Sequence, residues 1–192
     1  MPRWEQGSAD RLTRAALELF EEQGFDSTSV VEIADRARVT TRTFFRYFPD
    51  KAEVLFAESE RIRAALVQGA LDAPDVSEPL HVVTAVLAEF DWSGPGMEMQ
   101  RQRNAVIAAN PGLLERDLIK QHHIAMGFIE ALQRRGVEAT AARLAARVGT
   151  QVFSVAYAQW VESDGGADLA TLNDAAMAVL EGLVPTRRAG TS

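Results

Sequence analysis

Apolar residues recur at three- and four-residue intervals along almost the whole chain, and no convincing run of alternating apolar and polar residues interrupts them. This period is typical of amphipathic α-helices. Glycine and proline break it at intervals and predict where the helices end. The pattern predicts an all-α protein of about nine helices, at 8–23, around 30–37, from 40 or 41 to 48, and at 51–71, 77–91, 97–109, 111–136, 138–163 and 168–184.

The first three predicted helices are closely spaced and carry capping signals. Gly24 suits the left-handed position after the first helix, and a short turn with capping residues, FDSTS, follows. The stretch ARV is a tight turn before the third helix, which Thr40 or Thr41 can cap and Pro49 stops. Asp50 is a good N-cap for the long fourth helix. The N-terminal quarter therefore predicts two short helices joined by a tight turn and supported by a preceding helix.

The clearest seam in the chain is the stretch DAPDVSEP, which contains two prolines. We predict an N-terminal helix-turn-helix domain over residues 1–52 and a C-terminal helical domain over residues 53–192. The tail of residues 185–192 is predicted to be disordered.

Composition narrows the function classes. The chain has 192 residues, 47% of them hydrophobic, and no cysteine, which excludes disulfides, cysteine zinc sites and a cysteine nucleophile. The N-terminal stretch lacks the apolar core of a signal peptide, and no apolar stretch approaches the length of a membrane span. We expect a soluble cytoplasmic protein without membrane contact, cofactor or metal. The adjacent His122 and His123 diverge by about 100° on a helix and cannot easily grip one ion.

The net charge of −7 argues at first against a nucleic-acid partner. Residues 36–51, however, contain five basic side chains and one acidic side chain, Asp50. Non-specific DNA binding is chiefly electrostatic. A small cationic face on an acidic body therefore suits a protein that must find one site without adhering to every phosphate. Charge alone leaves a merely solvated helix surface as the alternative.

The third predicted helix has the residue types that reading a major groove requires. Phe44 and Phe48, four residues apart, would hold it in the core. Side chains at its start would reach the bases, namely Thr40, Thr41, Arg42 and Thr43. Arg46 and Tyr47 would meet the flanking backbone. Lys51, at the predicted start of the next helix, would anchor a phosphate.

Residues 12–56 resemble the N-terminal domain of TetR-family transcriptional repressors, through the stretch LTRAALELFEEQGFDSTSVVEIADRARVTTRTFFRYFPDKAEVLF. The resemblance implies an all-helical homodimer that binds a palindromic operator in double-stranded DNA and is released by a small effector. The predicted DNA-binding residues are Thr28, Arg38, Thr40, Thr41, Arg42, Thr43, Phe45, Arg46, Tyr47 and Lys51.

Two positions depart from the family pattern. Arg38 stands where the family often has glycine, so the turn either differs or accepts a strained backbone, and in exchange Arg38 would reach a phosphate. Phe45 stands where the family often has tyrosine, so a hydroxyl contact to phosphate is lost. An apolar contact to a thymine methyl or a sugar replaces it in this interpretation.

The last two helices predict a dimer interface, because the resemblance implies that they meet their copies in a four-helix arrangement with two-fold symmetry. Packing inside one subunit is the alternative for any single residue. The predicted interface residues are Leu144, Val148, Val152 and Val155 on the first helix and Leu172, Ala176, Val179 and Leu183 on the second.

Aromatic and methionine residues of the C-terminal domain are candidates for an apolar effector cavity. They are Trp92, Met97, Met99, Met126, Phe128, Phe153, Tyr157 and Trp160. The stretches RQRNAVIAANPGLLERDLIKQ and LAARVGTQVFSVAYAQWV weakly resemble regulators whose C-terminal domain binds acyl-CoA-like ligands. The expected effector is an apolar or amphipathic small molecule, and core packing is the alternative role for each residue.

Two other function classes compete with a DNA-binding regulator. An all-helical enzyme lacks support, because the chain has no HExxH, P-loop, GxSxG or glycine-rich dinucleotide motif. A helical partner-binding module that has lost DNA binding is supported only by Arg38 and Phe45. Short polar residues at one helix start, local positive charge and a proline-limited helix favour the regulator.

Overall fold

The computed structural model describes residues 3–92, 94, 96–163 and 166–183. Within those ranges the chain forms nine α-helices, one 3-10 helix and no strand, so the all-α prediction is confirmed. The predicted disordered tail of residues 185–192 lies outside the described residues. The α-helices are α1 (Arg3–Gln23), α2 (Val30–Arg36), α3 (Thr41–Tyr47), α4 (Ser59–Asp72), α5 (Pro79–Glu89), α6 (Met97–Ala109), α7 (Pro111–Arg134), α8 (Ala139–Glu162) and α9 (Leu169–Leu183).

Contacts divide the chain into two compact units. The first unit comprises residues 1–62 and 93–122, and the second unit comprises residues 63–92 and 123–192. The sequence placed its division at residue 52, where the helix-turn-helix ends, and that boundary stays a prediction about the DNA-binding domain. The packing unit is larger than this domain, because α6 and the start of α7 pack with the N-terminal residues.

The core of the first unit joins α1, α2, α3 and α6. Leu12, Ile33 and Phe44 are fully buried, and Phe20 and Ile107 are each 4% exposed in the same cluster. Burying a side chain of this size stabilises a fold by about 1.5–3 kcal/mol. The two short helices α2 and α3 are therefore held by a core that they share with longer helices, and not by their own length.

The fourth helix begins later than the sequence predicted. Residues Glu53–Phe56 form a 3-10 helix, and α4 starts at Ser59 and not at Lys51. Asp50 does act as a cap, but of the 3-10 turn, because its Oδ1 accepts a hydrogen bond of 2.8 Å from the backbone N–H of Glu53. The reason is packing: Val54, Leu55 and Phe56 are all buried. An amphipathic α-helix does not bury three consecutive side chains on one face.

The second unit packs α5 against α8 through a close backbone approach. A Cβ atom on Gly149 of α8 would lie 2.7 Å from Cγ1 of Val83 on α5, which is closer than real Cβ contacts. Glycine therefore lets the two helices meet at this point. Phe128 and Leu132 of α7 are fully buried in the same unit. Gly149 thus serves packing within one chain.

Candidate nucleic-acid interface

Helix α2 begins with a capping box. The Ser29 Oγ accepts a hydrogen bond of 3.2 Å from the backbone N–H of Glu32, and Glu32 accepts one of 2.8 Å from the backbone N–H of Ser29. Hydrogen bonds from the Ser29 side chain and backbone, together with one from Gln23, hold the pKa of Glu32 below its ordinary value of 4.5. A seven-residue helix is too short to be stable alone. These caps and the burial of Ile33 and Ala34 fix where it starts and which face it buries.

Helix α2 ends in a Schellman turn built around Arg38. The backbone N–H of Val39 donates to the carbonyl oxygen of Ala34 at 2.9 Å, and that of Arg38 donates to Asp35 at 3.0 Å. Arg38 has φ +56°, which makes it the one non-glycine residue with positive φ among the described residues. Such a conformation costs a non-glycine residue about 1–2 kcal/mol. The turn thus keeps the geometry that glycine usually supplies and accepts the strain.

Helix α3 is the candidate recognition helix, and Thr40 is its N-cap. The Thr40 Oγ1 accepts a hydrogen bond of 3.1 Å from the backbone N–H of Thr43 and lies 3.0 Å from the Thr43 Oγ1. Phe44 and Phe48 are buried with ring centroids 5.5 Å apart, as the sequence predicted. The exposed residues of α3 itself are Arg42, Phe45 and Arg46, and Phe45 is 57% exposed. One face of α3 is thus fixed in the core, and the other presents two arginines and an aromatic ring.

Two residues that the sequence predicted to contact DNA have hydrogen-bond partners within the chain. Thr28 is 2% exposed, and its hydroxyl donates to the carbonyl oxygen of Gly24 at 2.8 Å. The Lys51 ammonium donates to the carbonyl oxygens of Phe25 at 2.6 Å and Thr28 at 2.9 Å, and lies 4.4 Å from the centroid of the Phe25 ring. Because both side chains are engaged with the α1–α2 turn, we assign them to holding that turn.

The positive charge of residues 36–51 is smaller at the surface than in the sequence. Arg36 forms an ion pair with Glu22 at 2.7 Å and another with Glu18 at 3.5 Å. Its hydrogen bond lowers the pKa of Glu22 and raises the pKa of Arg36 itself. Arg46 stacks on Tyr47, with the guanidinium carbon 4.9 Å from the ring centroid. With Lys51 also engaged, the exposed cations of this segment that face no carboxylate in the described contacts are Arg38 and Arg42.

Basic residues of α6 and α7 anchor the segment that follows α3, which the sequence did not predict. Arg116 pairs with Asp50 at 3.0 Å, and Lys120 pairs with Glu53 at 2.7 Å. The Arg103 Nε donates to the carbonyl oxygen of Leu55 at 2.6 Å. These partners are 48 to 67 residues apart in sequence, so no local pattern could have paired them. These ion pairs and this hydrogen bond hold the segment that follows α3 in place within the first unit.

The predicted effector residues fall into two groups. In the second unit, Trp92 packs on Phe153 and Tyr157, with ring centroids 5.2 and 5.6 Å away, and Tyr157 packs on Trp160 at 5.7 Å. The Trp92 Nε1 donates to the Leu87 carbonyl oxygen at 2.7 Å. The remaining candidates do not join this cluster in the described contacts: Met97 and Met99 belong to the first unit, Phe128 is core, and Met126 is 45% exposed. Four of the eight candidates thus lie together, and a role of theirs in effector binding stays a prediction.

The surface of α8 and α9 exposes large apolar side chains. Leu144, Val155, Val179 and Leu183 are between 55% and 73% exposed. Val148, Leu172 and Ala176 are half-buried, whereas Val152 is 8% exposed and packs within its own unit. Val152 is therefore a core residue of the chain, because its side chain is already buried without a second copy. In the part of the chain that the structure describes, no helix is long and apolar enough to cross a membrane.

Comparison with known proteins agrees with this geometry. Residues 12–57 match the sequence model of the family described as bacterial regulatory proteins, tetR family. The chain is 34% identical over 114 residues to the HTH-type transcriptional regulator TcmR of Streptomyces glaucescens, which aligns 55% of this chain and 50% of that protein. The chain thus spans about half the length of that relative.

Solved structures share the fold over nearly the whole chain. NalD, the secondary repressor of the MexAB-OprM multidrug efflux pump in Pseudomonas aeruginosa, has 18% identity and a TM-score of 0.61, covering 96% of this chain and 98% of its own. SmeT in complex with triclosan has 20% identity and a TM-score of 0.58, covering 96% and 98%. Residues 12–57 are thus similar to the DNA-binding part of the tetR family of bacterial regulatory proteins, and the fold of the chain is similar to that of solved repressors.

Proposed function

We propose that this chain is a ligand-responsive, sequence-specific transcriptional regulator, and specifically a repressor that binds a palindromic operator as a homodimer. The observation that carries the proposal is helix α3. Its Phe44 and Phe48 face is locked in the core, and its opposite face presents Arg42, Phe45 and Arg46 to solvent. A rigidly held helix with an exposed arginine in its first turn can read bases in a major groove.

The exposed face divides into base-reading and backbone-binding residues. Arg42, in the first turn of α3, is the residue we assign to a guanine, because its guanidinium can pair bidentately with O6 and N7. Thr41 and Thr43 are half-buried beside it and complete the base-facing surface. Arg38, Arg46 and Tyr47 are assigned to phosphates, and Thr40 contributes mainly by capping. Phe45 supplies an apolar contact to a thymine methyl or a sugar.

The homodimer is supported by the apolar surface of α8 and α9. Four large side chains more than half exposed on two neighbouring helices are costly in water, and a two-fold partner would cover the same patch on both copies. The interface we propose consists of Leu144, Val148, Val155, Leu172, Ala176, Val179 and Leu183. In such a dimer the two α3 helices would enter major grooves about 34–36 Å apart or a modest multiple of that.

The effector is proposed to bind beside the aromatic cluster of the second unit. Trp92, Phe153, Tyr157 and Trp160 offer apolar faces with few polar groups, which suits an apolar or amphipathic small molecule. SmeT, which shares the fold, is known in complex with triclosan. Effector binding would shift α4 and change the spacing of the two α3 helices. The effector can do this only if it binds the two states with different affinity.

Selection of binding sites from random double-stranded DNA tests the proposal. The full chain, immobilised and washed at moderate salt, is expected to enrich a near-palindrome. A variant with Arg38, Arg42 and Arg46 changed to Ala should enrich nothing, while a control with Arg134 and Arg147 changed to Ala should enrich the same sequence. Enrichment of no sequence by the unchanged chain at low salt would contradict the proposal and favour a helical partner-binding module.

A further inference from the structure

A groove of about 630 Å³ opens in the first unit, between the end of α1, the α1–α2 turn and α6. None of the predicted effector residues lines it. Phe20, Phe25 and Val106 form its apolar floor. A volume of this size falls in the range of small-molecule sites.

The rim of this groove is acidic. Glu21, Asp26 and Glu98 line it together with one basic residue, Arg101, which leaves a net negative charge of two. Arg101 already pairs with Glu98 at 2.7 Å, and Glu21 accepts a hydrogen bond of 2.8 Å from Gln102. The carboxylate of Asp26 belongs to no ion pair among the described contacts. The groove therefore joins aromatic and aliphatic surface to an excess of carboxylates, which favours a cation with an apolar body.

The groove also adjoins the turn that Lys51 holds. Phe25 lies on the floor of the groove, and its ring lies under the Lys51 ammonium at 4.4 Å. The carbonyl oxygens of Phe25 and Asp26 accept hydrogen bonds from Lys51 at 2.6 and 3.2 Å. An occupant of the groove would thus contact the residues that connect α1 to α2.

We propose that this groove is a small-molecule site for an organic cation with an aromatic or aliphatic body, separate from the effector site beside the aromatic cluster. The carboxylates attract the charge, and the partly exposed Phe25 and Val106 cover the apolar part. The site stands on the geometry of the first unit and does not depend on whether the chain binds an operator.

Isothermal titration calorimetry with a matched pair of ions tests the site. The probe is tetraphenylphosphonium, and the control is tetraphenylborate, which has nearly the same shape and the opposite charge. In sodium buffer the full chain is expected to bind the phosphonium saturably and the borate not at all. Changing Glu21 and Glu98 to Gln should raise the phosphonium Kd about two- to fivefold, which is the size of an exposed charge pair.

Two tryptophan substitutions on α6 locate the bound ion. Ala105 is exposed and lines the groove, whereas Ala108 is exposed on the same helix and does not line it. Ala105→Trp should raise the phosphonium Kd at least about tenfold by filling the groove, and Ala108→Trp should leave it within about twofold. Circular dichroism checks that both variants keep the helical fold. Absence of phosphonium binding, binding unaffected by Ala105→Trp, or equal binding of the borate that Ala105→Trp removes would each overturn the proposal.

Discussion

Two regions differ in how far they bury large apolar side chains: the helix-turn-helix segment of residues 28–51, and the surface of α8 and α9. In the first, Ile33, Phe44 and Phe48 are buried within the chain, and arginines face outward together with Val31 and Phe45. In the second, Leu144 and Val179 remain more than 60% exposed. A surface on which arginines outnumber the exposed apolar side chains offers charge to a polar partner. A surface that leaves them in water needs another apolar surface to cover it.

The largest expected effect separates two adjacent phenylalanines of α3. Phe44 is fully buried and Phe45 is 57% exposed. Phe44→Ala should lower the free energy of unfolding by about 3–5 kcal/mol, because it leaves a cavity in the core of the first unit. Phe45→Ala, the matched control, should change that free energy by less than about 0.5–1 kcal/mol. Urea unfolding followed by circular dichroism measures both, and equal losses would mean that α3 does not bury the face described here.

The second-largest expected effect tests the exposed apolar surface of α8 and α9. Val155→Glu should weaken the proposed dimer by about 2–4 kcal/mol, because two-fold symmetry buries the new carboxylate twice. Light scattering after size-exclusion chromatography measures the mass against concentration. Ser154→Glu is the control, since it is also exposed but lies about 100° around α8. A Val155→Glu variant as dimeric as the unchanged chain would remove α8 from the interface.

A substitution at Lys51 is expected to have an intermediate effect on stability. It tests the helix-turn-helix segment, which is the polar member of the comparison. Lys51→Met removes the ammonium that donates to Phe25 and Thr28 and should lower the free energy of unfolding by about 1–2 kcal/mol. As a scaffold residue it should leave the salt dependence of DNA binding nearly unchanged. If instead the slope of log affinity against log salt concentration falls by about 1 and the stability is unaltered, Lys51 contacts a phosphate, as the sequence predicted.

The smallest effect concerns the strained turn. Arg38→Gly removes the backbone strain of a φ of +56°, but it also raises the conformational entropy of the unfolded chain. Because these two contributions nearly cancel, the free energy of unfolding should rise by only about 0–1 kcal/mol. Arg38→Val should instead lose more than about 1 kcal/mol, because a β-branched side chain tolerates this conformation worst. Thermal unfolding compares the pair. A Val variant as stable as the Gly variant would show that the turn rearranges.

Local signals explain most of what the sequence could predict. The capping of α3 by Thr40, the ends of α6 and the burial of Phe44 and Phe48 depend on residues within one or two turns of each other. The start of α4 was wrong because tertiary packing buries Val54, Leu55 and Phe56 together. The helical period of apolar residues identifies only one face of a helix, so it cannot show that three consecutive side chains are buried.

The candidate sites follow the same division. Residue type alone predicted that α3 presents Arg42 to solvent, and this side chain is exposed in the structure. The engagement of Lys51 with a turn more than twenty residues earlier, and of Arg116 with Asp50, depends on the folded chain. The aromatic cluster was predicted only by composition, which also admitted Met97 and Met126. Side chains that reach far along the sequence can be placed only by the packing between helices.

The central claim is that the exposed face of α3 reads DNA, and Arg42 tests it most directly. Once an operator has been selected, every base pair of it is substituted in turn, and binding of the unchanged chain and of Arg42→Ala is measured at one salt concentration. We predict that Arg42→Ala loses about 1–3 kcal/mol of preference at one symmetric pair of positions and keeps the preferences elsewhere. An unchanged preference at every position would contradict the claim.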